Sequence, residues 1–313
     1  MVWVLLSINV LSKSKKMNCG KFMMCSLSVD SSITEPYCLW YNGAMIKIFV
    51  CDIDGTLFEP SVGVPEANIN QLLELQRQGI RLVLASGRSY GAMIEIAKRL
   101  QMDQYDGYLI AGNGAEVLSL KTNIYLHKAH LSVEELHEIV AVSQSLDLHF
   151  SCIQEDVLVY THYDLAIEHE EEHGGLKTDP LKDVNEIQTS SPKCSLNLLL
   201  EDDPARMALF AEHFKGKIAM EWIMPWYMDC ASLGQSKLNG VKILANELGV
   251  SMDEIAAIGD GENDRSMLEG VGLSATLENA STSIQAIVDH VVPHVKEAGV
   301  ARFAQMILDA RTH

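Results

Sequence analysis

In the run IFVCDIDGTL, residues 48 to 57, two carboxylates stand one residue apart directly after a β-rich apolar stretch, and a glycine and a threonine follow. Asp52 and Asp54 do not belong in a strand for the sake of packing, because an unpaired buried carboxylate is costly. They call for a cation. If residues 45 to 51 form a central strand, Gly55 lets the chain turn at its carboxyl end, where open α/β sheets bind their ligands. The plain alternative is a strand-to-turn exit carrying solvated aspartates, since acidic residues are common in turns.

Three further segments carry chemistry of a matching kind. LASGRS, residues 84 to 89, offers the Ser86 hydroxyl and the Gly87 backbone N–H near a helix start, a natural perch for phosphate. Lys237, near the start of its own helix, is a point charge suited to a phosphoryl oxygen or a carboxylate. IGDGENDRSM, residues 258 to 267, sets Asp260 and Asp264 around Gly261 and Asn263. Each of the four segments is expected at the end of a strand, so a parallel sheet would gather them along one edge. Three or four carboxylates with one lysine make a hard-oxygen site, which selects magnesium over softer metals. With a phosphoester bound, one carboxylate can attack phosphorus in line while a second protonates the leaving oxygen and later activates water. The cation, Lys237 and backbone N–H groups would stabilise the transition state.

The elements that must hold these residues follow from hydrophobic periodicity. Apolar runs at 45–51, 80–85, 107–111, 255–258 and 271–274 read as strands, alternating with helical patterns over 68–78, 90–100 and 237–248. This rhythm predicts βαβ units and a parallel sheet. The middle of the chain breaks it. After a hairpin of 115–118 and 124–127, the capping box Ser132-Val133-Glu134-Glu135 opens a helix to about Ser145. Strands at 148–153 and 157–161, an acidic helical stretch over 164–173, a loop containing Gly174, Gly175 and Pro180, a strand at 194–200, a helix at 204–214 and a strand at 217–223 follow. The fold class expected is α/β, a Rossmann-like parallel-sheet core with an inserted α+β cap. The core would comprise 45–128 and 229–313, and the cap 129–228.

Composition narrows the function. A net charge of −18 and a pI near 4.9 disfavour non-specific binding to nucleic acid or anionic lipid. A small anionic substrate stays open, because a local cation can overcome the mean field. Seven scattered cysteines without a Cys-x-x-Cys pair suggest neither a zinc site nor a disulfide framework, and a reducing, cytoplasmic setting is expected. Residues 1–44 read as a disordered tail or as an extension preceding a true start at Met45; their apolar run is too short to span a bilayer.

The order DIDGTL, SGR, Lys and GDGEND resembles the haloacid dehalogenase superfamily, in its Cof-type sugar-phosphatase branch with a type IIB cap, over about residues 45 to 310. The resemblance implies a magnesium-dependent phosphatase acting on a small phosphorylated metabolite, with a phosphomutase or a non-catalytic sugar-phosphate-binding regulator as alternatives. It implies Asp52 as nucleophile and metal ligand, and Asp54 as general acid/base that binds the metal through its carbonyl oxygen. Ser86, Gly87 and Asn263 would hold the phosphoryl group, and Lys237 would neutralise it while orienting Asp52. Asp260 would bind magnesium, and Asp264 would support the metal shell or Lys237. The chain departs from the family where Lys237-Leu238 replaces Lys-Gly, at Thr276 to Ala280, and at Pro293-His294-Val295 before Gly299.

Other residues have plainer readings beside sharper ones. Arg88 suits either a substrate contact or a structural ion pair, and Asn113 either a substrate contact or a turn between Gly112 and Gly114. Alternation makes Cys51 a small buried hydrophobe. His162, His169 and His173, among the glutamates of 168–172, read as a solvated acidic face rather than a second metal site. Met224, Trp226, Tyr227 and Met228 are expected to pack the cap-to-core junction, and Trp222 to line a pocket.

Overall fold

The computed structural model describes residues 45–155, 157–169, 171, 177–199, 203–224 and 226–311. The expectations for residues 1–44 and for His173 lie outside these.

In chain order the elements are β1 (Ile48–Cys51), α1 (Glu66–Arg77), β2 (Arg81–Ala85), α2 (Tyr90–Arg99), β3 (Tyr108–Ala111), β4 (Glu116–Ser119), β5 (Ile124–Lys128), α3 (Val133–Ser145), β6 (His149–Gln154), β7 (Val157–Tyr160), α4 (Leu165–His169) and β8 (Lys177–Pro180). They continue with β9 (Cys194–Asn197), α5 (Ala205–Phe214), β10 (Ala219–Met224), β11 (Tyr227–Ala231), α6 (Lys237–Leu248), β12 (Ile255–Ile258), α7 (Arg265–Gly270), β13 (Leu273–Leu277), α8 (Thr282–Gln285), β14 (His290–Val292) and α9 (Gly299–Arg311).

Among the described residues these strands form two sheets. The larger runs β14-β13-β12-β1-β2-β3-β4-β5 and is parallel as far as β3, with β4 and β5 added antiparallel at one edge. Both faces of β1 are buried, which is why its sequence is continuously apolar rather than alternating. Phe49 and Cys51 pack with Leu72 of α1, Met93 of α2 and Phe303 of α9. Ile48 and Val50 turn the other way, toward Val241 and Leu244 of α6 and Leu268 of α7. Because β1 lies between β2 and β12, the chain reverses direction across the sheet beside it, and a crevice opens at the carboxyl ends of the strands there.

The second sheet runs β10-β11-β9-β6-β7-β8. Leu136 and Ile139 of α3 and Phe210 and Phe214 of α5 cover one face, against Phe150, Leu196, Met228 and Cys230. Alternation sends Ser195 and Asp229 to the other face, and the register sets Glu221 opposite Asp229 and Asp229 opposite Ser195. The expected capping box at Ser132 is present: its side chain accepts from the Glu135 N–H at 3.2 Å, and Glu135 accepts from the Ser132 N–H at 2.7 Å.

Two elements differ from the sequence reading. Lys177–Pro180, expected as loop, is an edge strand parallel to β7; a proline is tolerated there because the strand has a neighbour on one side only. Tyr227–Ala231, expected as junction packing, is a strand between β10 and β9. Its Met228 belongs to the second sheet's own hydrophobic cluster.

Candidate active site

The four motifs meet at the carboxyl ends of β1, β2 and β12 and at the amino end of α6. After β1 the chain folds into a tight turn, with the N–H groups of Leu57 and Phe58 both donating to the Ile53 carbonyl at 2.8 Å. Gly55 sits at φ +77°, and a Cβ there would collide with the Asp260 carboxylate. The glycine thus lets the β1 turn and the β12 loop close on each other. Thr56 Oγ1 donates to Asp260 Oδ1 at 2.6 Å, and Asn279 Nδ2 donates to the Gly55 carbonyl at 2.8 Å, fixing the turn from both sides.

Lys237 is the centre of the charge arrangement. It is the first residue of α6 and only 1% exposed, and its Nζ donates to Asp52 Oδ1 at 2.6 Å and to Asp264 Oδ1 at 2.7 Å. Asp264 is fully enclosed, and its other oxygen accepts from the N–H groups of Asp260 at 3.1 Å and Gly261 at 3.0 Å. Burial, and after it the charge on Asp264, push the Asp52 carboxyl well above the ordinary carboxylate range, with Lys237 pulling it back. Asp260 is pushed up to about 6, chiefly by burial, against the Thr56 hydrogen bond. Burial alone would draw the Lys237 ammonium down, but Asp264 and Asp52 outweigh it and hold it above its usual value. Asp52 and Asp260 raised while the neighbouring Lys237 is also raised are the mark of a site with surplus negative charge.

Oxygen atoms of Asp52, Asp260 and Asp264 lie within 4.8 Å of one another. Three carboxylates against one ammonium leave net negative charge in a nearly dry place, and every donor is a hard oxygen. The residues fit a small divalent cation. Among the described residues this is the one acidic or histidine group so disposed; His162 instead stacks on His149, with ring centroids 4.3 Å apart.

Asp54 stands outside that trio. Its carboxylate is gripped by Arg88, Nε to Oδ2 at 2.9 Å and Nη2 to Oδ1 at 2.6 Å, and the guanidinium also lies over the Phe58 ring at 5.0 Å. Arg88 thus forms the ion pair, and it also lines the cavity above the site. Ser86 is buried at the end of β2, and its Oγ accepts from the Arg88 N–H at 3.1 Å. Cys51 is fully buried, its thiol pushed well up by burial and by Asp52.

Above these residues a cavity of about 700 Å³ lies between the two sheets. Asp52, Asp54, Ser86, Gly87, Asn113 and Asn263 line it from the larger sheet's side; Lys193, Glu221, Trp222, Trp226, Tyr227 and Asp229 line it from the other. Trp222 therefore lines the pocket as expected. Trp226 and Tyr227 do too, rather than filling a junction. Lys193 pairs with Asp229 at 2.7 Å, and Ser195 Oγ donates to Asp229 at 2.6 Å. Sequence reasoning passed over Lys193, Glu221 and Asp229. The alternation of buried Met228 and Cys230 with Tyr227 and Asp229 was the available sign, because it marks a half-buried strand with one face turned to a cavity.

No described helix is long and apolar enough to cross a membrane. A family model described as haloacid dehalogenase-like hydrolase matches residues 49–303. Phosphatase YwpJ of Bacillus subtilis is 26% identical over 289 residues, covering 84% of this chain and all of that protein. The crystal structure of a haloacid dehalogenase-like hydrolase from Bacteroides thetaiotaomicron superposes with a TM-score of 0.77 at 25% identity, over 84% of this chain and 99% of that one. A solved subclass IIB sugar phosphatase of the superfamily shares the fold, with a TM-score of 0.72 at 18% identity, over 84% of this chain and 99% of that one. A match to the family model along most of the chain, on a fold that brings its four motifs to one sheet edge, places this protein in the haloacid dehalogenase-like hydrolase family.

Proposed function

We propose that this phosphatase hydrolyses a small phosphorylated metabolite of the sugar-phosphate class, with magnesium as cofactor and an aspartyl phosphate as intermediate. The observation that carries the reading is the Lys237 bridge between Asp52 and Asp264 beside Asp260. It sets a cavity-lining carboxylate, a buried cation and an oxygen-only cluster that suits a divalent ion in one place.

Asp52, the Asp54 carbonyl and Asp260 would hold the ion, with Asp264 supporting that shell and Lys237. Bound there, magnesium would offset charge on the phosphoryl oxygens and on Asp52. An Asp52 oxygen attacks phosphorus in line, the bond from phosphorus to the ester oxygen breaks, and Asp54 as general acid gives a proton to the departing alkoxide. Asp54, now ionised, takes a proton from water, whose oxygen attacks the same phosphorus and releases phosphate and free Asp52. Ser86, the Gly87 N–H, Asn263 and Lys237 hold the equatorial oxygens. Residues 45–128 and 232–313 serve as the catalytic core, which resumes three residues later than the 229 expected because Tyr227–Ala231 is a strand of the second sheet. The segment 129–231 acts as the cap, whose polar strand face and aromatic groups meet the leaving group.

A phosphate-release screen over hexose, pentose and triose phosphates, nucleotides, flavin mononucleotide and pyridoxal phosphate, with and without magnesium, tests the reading. Metal-dependent release from a sugar phosphate is expected. Release from none of them would overturn it, and an isomerised sugar phosphate without free phosphate would make the protein a phosphomutase.

A further inference from the structure

The turn Gly112-Asn113-Gly114 is fixed to the catalytic loops. The Gly112 N–H donates to the Arg88 carbonyl and the Asn113 N–H to the Ser86 carbonyl, both at 2.9 Å. Gly114, at φ +101°, lies so close to the Ser236 carbonyl, next to Lys237, that a Cβ would collide with it. Between the two glycines Asn113 takes left-handed angles, φ 52° and ψ 35°, a conformation that asparagine tolerates better than most residues. A backbone held this firmly gives its side chain one direction.

That side chain spans the two halves of the site. Asn113 Oδ1 accepts from Asn263 Nδ2 at 3.2 Å, and Asn113 Nδ2 donates to Glu221 Oε2 at 2.9 Å on β10 of the second sheet. A Cβ on Gly87 would press against the same carboxamide at 3.3 Å. Glu221 is more than half buried and faces Asp229, so its carboxylate needs a donor. A carboxamide can donate to a carboxylate and accept from another amide at once, whereas aspartate lacks the donor. Asn113 and Glu221 also line a second cavity of about 340 Å³.

We propose that Asn113 is a positioning residue, a latch that sets the cap wall against the phosphate-binding loops through Glu221. The inference rests on the phosphatase reading for its role in turnover. The latch itself stands on the geometry alone.

The test is a double-mutant cycle on the full chain with Asn113→Asp, Glu221→Gln and both together, measuring thermal unfolding and, well below the unfolding temperature, kcat and KM for p-nitrophenyl phosphate with magnesium. Asn113→Asp sets two carboxylates against each other and should lower both the unfolding temperature and kcat/KM, the latter about tenfold, the size of one lost charge-assisted hydrogen bond. Glu221→Gln should keep its unfolding temperature near the parent's, because its carbonyl oxygen still accepts, and its own kcat/KM is the baseline against which the double variant is read. The double variant restores a donor, from Gln to Asp, and should recover both quantities. Additive effects would overturn the latch. Rescue of the unfolding temperature with kcat/KM unmoved throughout would reduce the pair to a structural contact and overturn the positioning role. If the parent releases no phosphate, the phosphatase reading fails, and the unfolding cycle decides the latch: rescue upholds it and additivity overturns it.

Discussion

Arg88 holds both carboxylate oxygens of Asp54, through Nε at 2.9 Å and Nη2 at 2.6 Å, and so keeps the residue two places after Asp52 out of the Asp52–Asp260–Asp264 trio. The two neighbouring aspartates that begin as equals in the sequence thus acquire different partners. Asp52 faces Lys237, and Asp54 faces a guanidinium at the cavity wall. A lysine at position 88 could not make the two-point grip, since its ammonium is a single point charge. Arg88→Lys is expected to lower kcat about tenfold with little change in unfolding temperature, because the pair is partly solvated. Steady-state kinetics beside a melting curve checks both halves of the expectation.

Lys237 carries a different kind of load. It is buried between two carboxylates, and removing it leaves them facing each other with no counter-charge. Replacing one partner of a buried ion pair typically costs about 3–5 kcal/mol, so Lys237→Met should unfold at distinctly lower denaturant. Loss of phosphate release should accompany this even in conditions where the variant is fully folded, which circular dichroism would establish before the assay.

Much of this site can be read from the linear sequence, and the reasons are local. β1 and β12 are buried on both faces, so their apolar runs stand out and the motifs at their ends can be placed on one sheet edge. Ser132 and Glu135 announce their helix by reciprocal capping, which needs no tertiary information. The cap side is harder. Lys177–Pro180 carries no hydrophobic pattern, because this edge strand is almost wholly exposed and buries no face, and Tyr227–Ala231 mixes aromatic, acidic and thiol side chains that read as packing until their alternation is noticed. The bond from Asn113 to Glu221 joins residues 108 positions apart on different sheets, and no spacing rule reaches across such an interval.

Magnesium should stabilise the protein as well as activate it. A ligand that binds only the folded state adds about 2.7 kcal/mol at about a hundred times its dissociation constant, which for a chain of this size is a rise of roughly 4 °C in unfolding temperature. Differential scanning fluorimetry should show that rise on adding magnesium and its loss on chelation. Asp260→Asn, which removes one of the three clustered carboxylates, should blunt the rise.

Gly55 gives a prediction that depends on space rather than charge. Its positive φ disfavours any side chain, and the missing Cβ is where the Asp260 carboxylate lies. Gly55→Ala should destabilise the fold by about 1–3 kcal/mol through backbone strain and shift Asp260 from its place. A weaker magnesium-induced melting shift, larger in effect than the strain alone would produce, distinguishes displacement of the carboxylate from a simple loss of stability.

In the proposed mechanism Asp52 attacks phosphorus, and the most direct measurement of that step is turnover of p-nitrophenyl phosphate by Asp52→Asn with magnesium present, on protein whose melting curve shows it folded. Asparagine keeps the shape of the side chain and removes the nucleophilic oxygen charge. A loss of at least about a thousandfold in kcat is expected. A folded Asp52→Asn protein that retained a rate within about tenfold of the parent would contradict it.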